Sequence, residues 1–238
     1  NITIKGGTVT AKGGDCGAGI GGGNGGIGEN IKITDGTVTA KGGDCGAGIG
    51  GGDGGYGGYG NGKNITITDG TVTATGGRNG AGIGGGDSGI GENITITDGT
   101  VTATGGIYGA GIGGGVNASG SNVTVSGAAQ VTATATGSGP DWSGVGTGAT
   151  IGNGGSVTED GELVDGKEIQ ADISRVTTGY IHHIIYDPAL VSEDNPLGIV
   201  REWWEPERPQ PKPEDPNAPA EESNEVNLGC LLYTSDAA

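Results

Sequence analysis

The chain has 238 residues, of which 59 are glycine, three are cysteine and none is phenylalanine or methionine, and its formal net charge is −17 at pH 7. That composition excludes a core of large aromatic side chains, the missing Gly-x-y period excludes collagen, and the negative charge excludes nucleic acid or anionic lipid as partners. Regular Ile, Val and Thr argue against a disordered Gly-rich chain, and no run reaches the roughly 18 apolar residues of a membrane helix, so no membrane insertion is expected in this chain.

The chain opens on a repeat. Asn-Ile-Thr-Ile or a close variant begins at Asn1, Asn30, Asn64, Asn93 and Asn122, with spacings of 29, 34, 29 and 29 residues. The long spacing holds Tyr56-Gly57-Gly58-Tyr59-Gly60, which reads as a five-residue insertion in the second unit. Each unit continues with Gly-Thr-Val-Thr-Ala and then Gly-Ala-Gly-Ile-Gly-Gly-Gly; the fifth loses Gly-Ala-Gly-Ile but keeps Val123, Val125, Val131 and Ile151. Within a unit the apolar residues alternate with polar ones, the mark of extended strands. In the second unit the expected strands are 31–34, 37–41 and 47–50, with Ile31, Ile33, Val38, Ala40, Ala47 and Ile49 turned inward. None of these strands can bury its apolar side alone, whereas stacked coils about 4.8 Å apart share one continuous core. The expected architecture is all-β: a right-handed parallel β-helix (β-solenoid) of about five 29-residue coils, three short strands each, over residues 1–157. Asp35-Gly36, Asp69-Gly70 and Asp98-Gly99 are tight-turn dipeptides, and the Asn at each unit start suits a stacked amide ladder at a corner.

These units, Asn-Ile-Thr-Ile-Thr-Asp-Gly-Thr-Val-Thr-Ala-Thr-Gly-Gly followed by Gly-Ala-Gly-Ile-Gly-Gly-Gly, resemble the Gly-rich β-helix repeats of large surface proteins from Gram-positive anaerobic bacteria. The resemblance covers residues 1 to about 155. It implies a pectate-lyase-like right-handed solenoid on an exported, multidomain chain, and it implies no particular activity.

Beyond the repeats, residues 158–204 lose glycine and gain Ile, Val, Tyr and charge. Residues 167–173 and 180–186 are expected to be strands of a β cap that covers the last coil's open edge. Residues 205–229, with the run EPERPQPKPEDPNAPA, read as a disordered Pro/Glu-rich linker. The charge follows this division. Residues 1–157 carry six basic and ten acidic residues, and residues 158–238 carry five and eighteen. Residues 230–238, CLLYTSDAA, resemble the translation of a sequencing adapter and are expected to be read-through. Asn1 begins in register with a repeat, so an export signal is expected upstream and further domains beyond both ends. The expected location is the extracellular bacterial surface.

Several groups could carry function. Thr8 and Thr10, Thr37 and Thr39, Thr71 and Thr73, and Thr100 and Thr102 should point outward as a two-column hydroxyl grid, spaced by about 4.8 by 7 Å. The grid resembles the Thr-x-Thr face of β-solenoid antifreeze proteins, although Thr is also simply a good exposed strand residue. Tyr56 and Tyr59 on the insertion could stack on sugar rings. Asp35, Asp69 and Asp98 form a row of like charge that a Ca²⁺ ion would relieve, as would the row Asn24, Asp53 and Asp87. Cys16 and Cys45 occupy the same repeat position, close enough for a disulfide or for stacked thiols. No other cofactor is expected. His182 and His183 are consecutive strand residues and should point to opposite faces, so they cannot both serve one catalytic site.

The expectation is therefore a non-enzymatic extracellular stalk or adhesin, with a polysaccharide or a host or cell-wall surface as partner. Two alternatives are a polysaccharide lyase or hydrolase and an ice-binding protein. Two carboxylates converging with an Arg in one groove would point to the enzyme.

Overall fold

The computed structural model describes residues 1–55, 59–137 and 147–206. They form an all-β, right-handed parallel β-solenoid with three sheets running along the stack. The first sheet holds Ile2–Ile4, Gly28–Ile33, Gly62–Ile67, Gly91–Ile96, Gly120–Gly127 and Asp172–Val176. The second holds Thr8–Lys12, Thr37–Lys41, Thr71–Thr75, Thr100–Thr104, Gln130–Thr136, Tyr180–Tyr186 and Ile199–Glu205. The third is built of two-residue Ile-Gly strands, at Ile20–Gly21, Ile49–Gly50, Ile83–Gly84, Ile112–Gly113 and Ile151–Gly152.

The repeat sets the register. Ile31 pairs with Ile65, Ile65 with Ile94 and Ile94 with Val123, so each apolar column is one position of the unit. Ile33, Ile49, Ile65, Ile67, Ile83, Ile94, Ile96 and Ile112 are all fully buried. Burying one such side chain contributes about 1.5–3 kcal/mol, which offsets the ordering of so many glycines. Alanines at 40, 74, 103 and 133 stack in register as a buried column of small side chains. The Ile-Gly strands show why glycine recurs beside them. Gly84 has φ 135°, and a Cβ there would overlap the carbonyl oxygen of Gly113 in the next coil.

Two strand boundaries differ from the expected ones. The first strand of the second unit begins at Gly28, before Asn30, rather than at Ile31. Asn30, Asn64, Asn93 and Asn122 have φ between 52° and 58°, so the corner lies inside the strand, and the register skips each Asn. Their amides form the ladder: Asn64 Nδ2 donates to Asn30 Oδ1 at 3.2 Å, Asn93 to Asn64 at 3.2 Å and Asn122 to Asn93 at 3.1 Å. The third strand is Ile49–Gly50 rather than 47–50. The N–H of Ala47 turns to the carbonyl of Gly51 in its own coil and so leaves the sheet.

The insertion leaves the stack undisturbed. Gly26 accepts from the Gly52 N–H and Gly60 accepts from the Gly86 N–H, so Gly60 occupies the place of Gly26 and the extra residues end at Tyr59.

The parallel sheets run past residue 157. Asp172–Val176 continues the first sheet and Tyr180–Tyr186 the second, where Ile181 follows Val131 in the buried column. Tyr180–Tyr186 coincides with one expected cap strand; the other begins at Asp172 rather than 167. Residues 167–169 instead bridge the end of the third sheet, with Asn153 N–H donating to Lys167 O and Ile169 N–H to Ile151 O. Ile199–Glu205 then pairs antiparallel with Tyr180–Tyr186 along the edge of the second sheet. The linker expected at 205–229 starts too early, since Glu205 is the last residue of this strand, paired with Ile181; residues 207–229, and 230–238 with Cys230, lie outside the described residues.

Candidate functional site

The second sheet turns its Thr residues outward. Thr8, Thr37, Thr71 and Thr100 align in one column, and Thr10, Thr39, Thr73 and Thr102 in another. All are exposed except Thr102, which is half-buried. The second column continues through Thr132 to His182. A third column, Lys12, Lys41, Thr75, Thr104 and Thr134, lies beside them. The first sheet has its own outward column of Thr3, Lys32, Thr66, Thr95 and Thr124. Both additional columns follow from the same alternation and were readable in the repeat. Beyond the Thr grid the sheet ends in aromatic side chains: the His182 ring stacks on Trp204 at 3.7 Å, and Tyr180 meets Trp204 edge-on at 5.2 Å.

Tyr59 is 68% exposed at the end of the insertion, whereas Tyr56 lies outside the described residues. In the acidic row, Asp35 and Asp69 bond within their own turns and Asp98 bonds to the following coil. Asp35 Oδ1 accepts from Gly36 N–H and Asp69 Oδ1 from Gly70 N–H, both at 2.6 Å, and Asp98 Oδ1 accepts from Ala128 N–H at 2.7 Å. These three carboxylates are not brought together as a three-ligand cation site. Among the described residues one group of metal-ligating side chains converges, Cys16, Cys45 and Asp53, whose ligand atoms all lie within 4.8 Å of one another. It joins the expected Cys pair to a member of the second acidic row. Both cysteines are free thiols, not the disulfide that their spacing allowed.

A second cluster lies at the C-terminal end of the stack. A cavity of about 260 Å³ is lined by Glu168, Gln170, His183, Arg201, Trp203 and Glu205, with Ile169 at its wall. His183 takes the inward position that Ala133 holds in the preceding coil. Its ring stacks on Trp203 at 4.4 Å, and the Arg201 guanidinium sits 4.5 Å from the centre of that Trp ring. His183 Nδ1 lies 2.6 Å from Thr150 Oγ1, which donates to Glu168 Oε2 at 2.9 Å. A hydroxyl has one proton, so with Glu168 ionised Nδ1 carries the imidazole hydrogen and Nε2 is a buried acceptor with no partner. Burial, then His182 and Arg201, push His183 down to about 4. Burial also raises the Glu168 carboxyl, against the pull of the Ile151 and Thr150 hydrogen bonds and of Arg201.

Two carboxylates, Glu168 and Glu205, thus share a cavity with Arg201. Their hydrogen bonds qualify the catalytic meaning. Glu168 accepts from the N–H groups of Thr150 at 2.6 Å and Ile151 at 3.0 Å. One coil earlier, the N–H groups of Gly111 and Ile112 donate to Ala149 and Thr150 carbonyls of the coil above. Glu168 therefore stands in for the carbonyls of an absent coil. Glu205 Oε2 accepts from Gln170 Nε2 at 3.0 Å. Sequence reasoning missed this cluster because its members lie outside the repeats. The one available signal was His-His opposite Trp-Trp, which pair as His182 with Trp204 and His183 with Trp203.

Among the described residues no helix is long and apolar enough to cross a membrane. Residues 2–24, 31–53, 65–87 and 94–116 match a family model described as a beta helix repeat, which agrees coil by coil with the stack. No curated protein and no solved structure matches the chain significantly.

Proposed function

We propose that this β-helix works as a non-enzymatic stalk or adhesin on the outside of a bacterial cell, holding polysaccharide weakly on its outward Thr face. One observation carries the reading: the Thr columns keep strict register from coil to coil, from Thr8 and Thr10 to Thr100 and Thr102. A flat, repeating hydroxyl surface suits a repeating partner such as a glycan chain. A catalytic centre instead needs one asymmetric cluster. Tyr59 at the side of the stack and the Tyr180, His182 and Trp204 group at the end of the grid add aromatic surface for sugar rings. The partner class is a cell-wall or host polysaccharide.

A glycan array tests the reading, with wild type beside a Tyr56→Ala, Tyr59→Ala double variant. The expected result is weak binding by the wild type and a several-fold loss in the variant. Silence from both would remove carbohydrate binding and leave the stalk alone. Thermal hysteresis on freezing would move the Thr grid to ice.

The enzymatic reading draws on the cavity of Glu168, Glu205, Arg201 and His183. Polysaccharide cleavage by wild type that disappears in both Arg201→Ala and Glu205→Gln would establish it and displace the stalk.

A further inference from the structure

We propose that Cys16, Cys45 and Asp53 bind a thiophilic divalent cation of the Zn²⁺ or Cd²⁺ class. The three residues come from two successive coils, and backbone pairing brings them together. Cys45 N–H donates to Asp15 O at 3.1 Å and Asp53 N–H to Cys16 O at 2.8 Å. The cysteine position of one coil is thereby held against the acidic position of the next. The approach depends on Gly52, where a Cβ would sit 2.8 Å from the Cys16 carbonyl oxygen. Asp53 Oδ1 accepts from Gly55 N–H at 2.7 Å, which orients the carboxylate and leaves its other oxygen for a ligand.

The adjacent coil shows what this geometry does with one cysteine replaced, since Asp87 N–H pairs with Cys45 O at 2.7 Å as Asp53 N–H does with Cys16 O. There Asn79 stands in the Cys column and Asp87 in the acidic one, and Asn79 Nδ2 donates to Asp87 Oδ2 at 2.7 Å. Ser88 Oγ donates to Asp87 Oδ1 at 2.8 Å. The amide and hydroxyl hydrogens thus supply positive charge to Asp87. Beside Asp53 the position of Asn79 is held by Cys45 and that of Ser88 by Gly54, so neither donor is present, and a bound cation takes their place.

The donor set selects the cation. Two sulfurs and one carboxylate oxygen are soft and borderline donors, unlike the all-oxygen shell of Ca²⁺. Metal–sulfur distances near 2.3 Å and metal–oxygen distances near 2.1 Å place tetrahedral donors roughly 3.5–3.8 Å apart. Ligand atoms already within 4.8 Å need only small side-chain rotations to reach this. Three protein ligands leave a fourth position for water. The cation binds the two sulfurs as thiolates. Both thiols deprotonate as two metal–sulfur bonds form, and two protons pass to solvent, so affinity rises with pH.

The test uses the full chain carrying Cys230→Ser, reduced and kept anaerobic, so that the pair supplies the only thiols. Titration with Co²⁺ should give a sulfur-to-cobalt charge-transfer band and tetrahedral d–d bands that saturate at one cation per chain. Zn²⁺ should displace the cobalt, and about two protons should be released per cation. Cys16→Ser and Cys45→Ser should each weaken binding by more than about 100-fold, since changes to supporting residues alone cost 10–100-fold. Asp53→Asn, which keeps the side-chain shape, should weaken it by about 10-fold, whereas Asp98→Asn should leave it unchanged. Circular dichroism of each variant separates lost binding from lost fold. Two reduced thiols with no charge-transfer band at stoichiometric cobalt would overturn the proposal. So would a Cys16–Cys45 disulfide that forms equally fast with and without Zn²⁺.

Discussion

Asn93 holds φ at 58°, donates one amide hydrogen bond to Asn64 and accepts another from Asn122. Asn tolerates this left-handed conformation better than most residues, and stacking satisfies its side chain in both directions. Asn93→Ala should therefore cost about 2 kcal/mol in urea unfolding, from backbone strain plus the lost ladder bonds. Asn93→Gly should cost less, because it relieves the strain and loses only the ladder; equal losses would remove the strain from the account. His183 gives a pH signature. Its folded value lies near 4 against an ordinary value of 6.5, so the unfolded chain binds the proton first as pH falls. Its contribution is fully present above pH 6.5 and is lost between about 6.5 and 4, by as much as about 3 kcal/mol. Glu168, with a raised value, acts oppositely in an overlapping range, since its burial favours the folded state at lower pH. Subtracting the stability profile of His183→Ala from that of wild type should expose the histidine slope. Alanine fills the same column in earlier coils, so the variant should fold.

At the level of the element, the last Ile-Gly strand depends on a side chain. Glu168→Ala would leave the N–H groups of Thr150 and Ile151 buried without acceptors, at about 1–3 kcal/mol each. Amide exchange at 150 and 151 should quicken well before exchange at Ile112, whose partner is backbone. Equal protection in the variant would show that Glu168 does not cap the strand. The elements also show what a sequence can and cannot reveal. Ile31, Ile33, Val38 and Ala40 were readable as inward because their alternation recurs from unit to unit. The meeting of Cys16, Cys45 and Asp53 was not, because Asp53 lies eight residues after Cys45 in the same coil and reaches the pair through its inter-coil bond to Cys16 O. Glu168, His183 and Arg201 were harder still, since each occurs once and no repeat compares it with a neighbour.

For the described stack as a whole, stability should spread along the coils, because each contacts only its neighbours. Ile67 and Ile94 are fully buried in the middle of the stack, and Ile94→Ala should cost about 2–5 kcal/mol by leaving a cavity between two coils. A loss below 1 kcal/mol in urea unfolding would mean that the coils do not press on one another there. The same regular stacking repeats the outward Thr grid from coil to coil, whereas the cavity of Glu168, His183 and Arg201 lies at the C-terminal end.

The most direct measurement compares glycan-array binding of three proteins: wild type, Thr39→Lys with Thr73→Lys on the grid, and Arg201→Ala with Glu205→Gln in the cavity. The expected result is glycan binding by the wild type, lost in the Thr pair and kept in the cavity pair. Binding that survives on the altered grid but vanishes with the cavity pair would contradict it and move the function to the end of the stack.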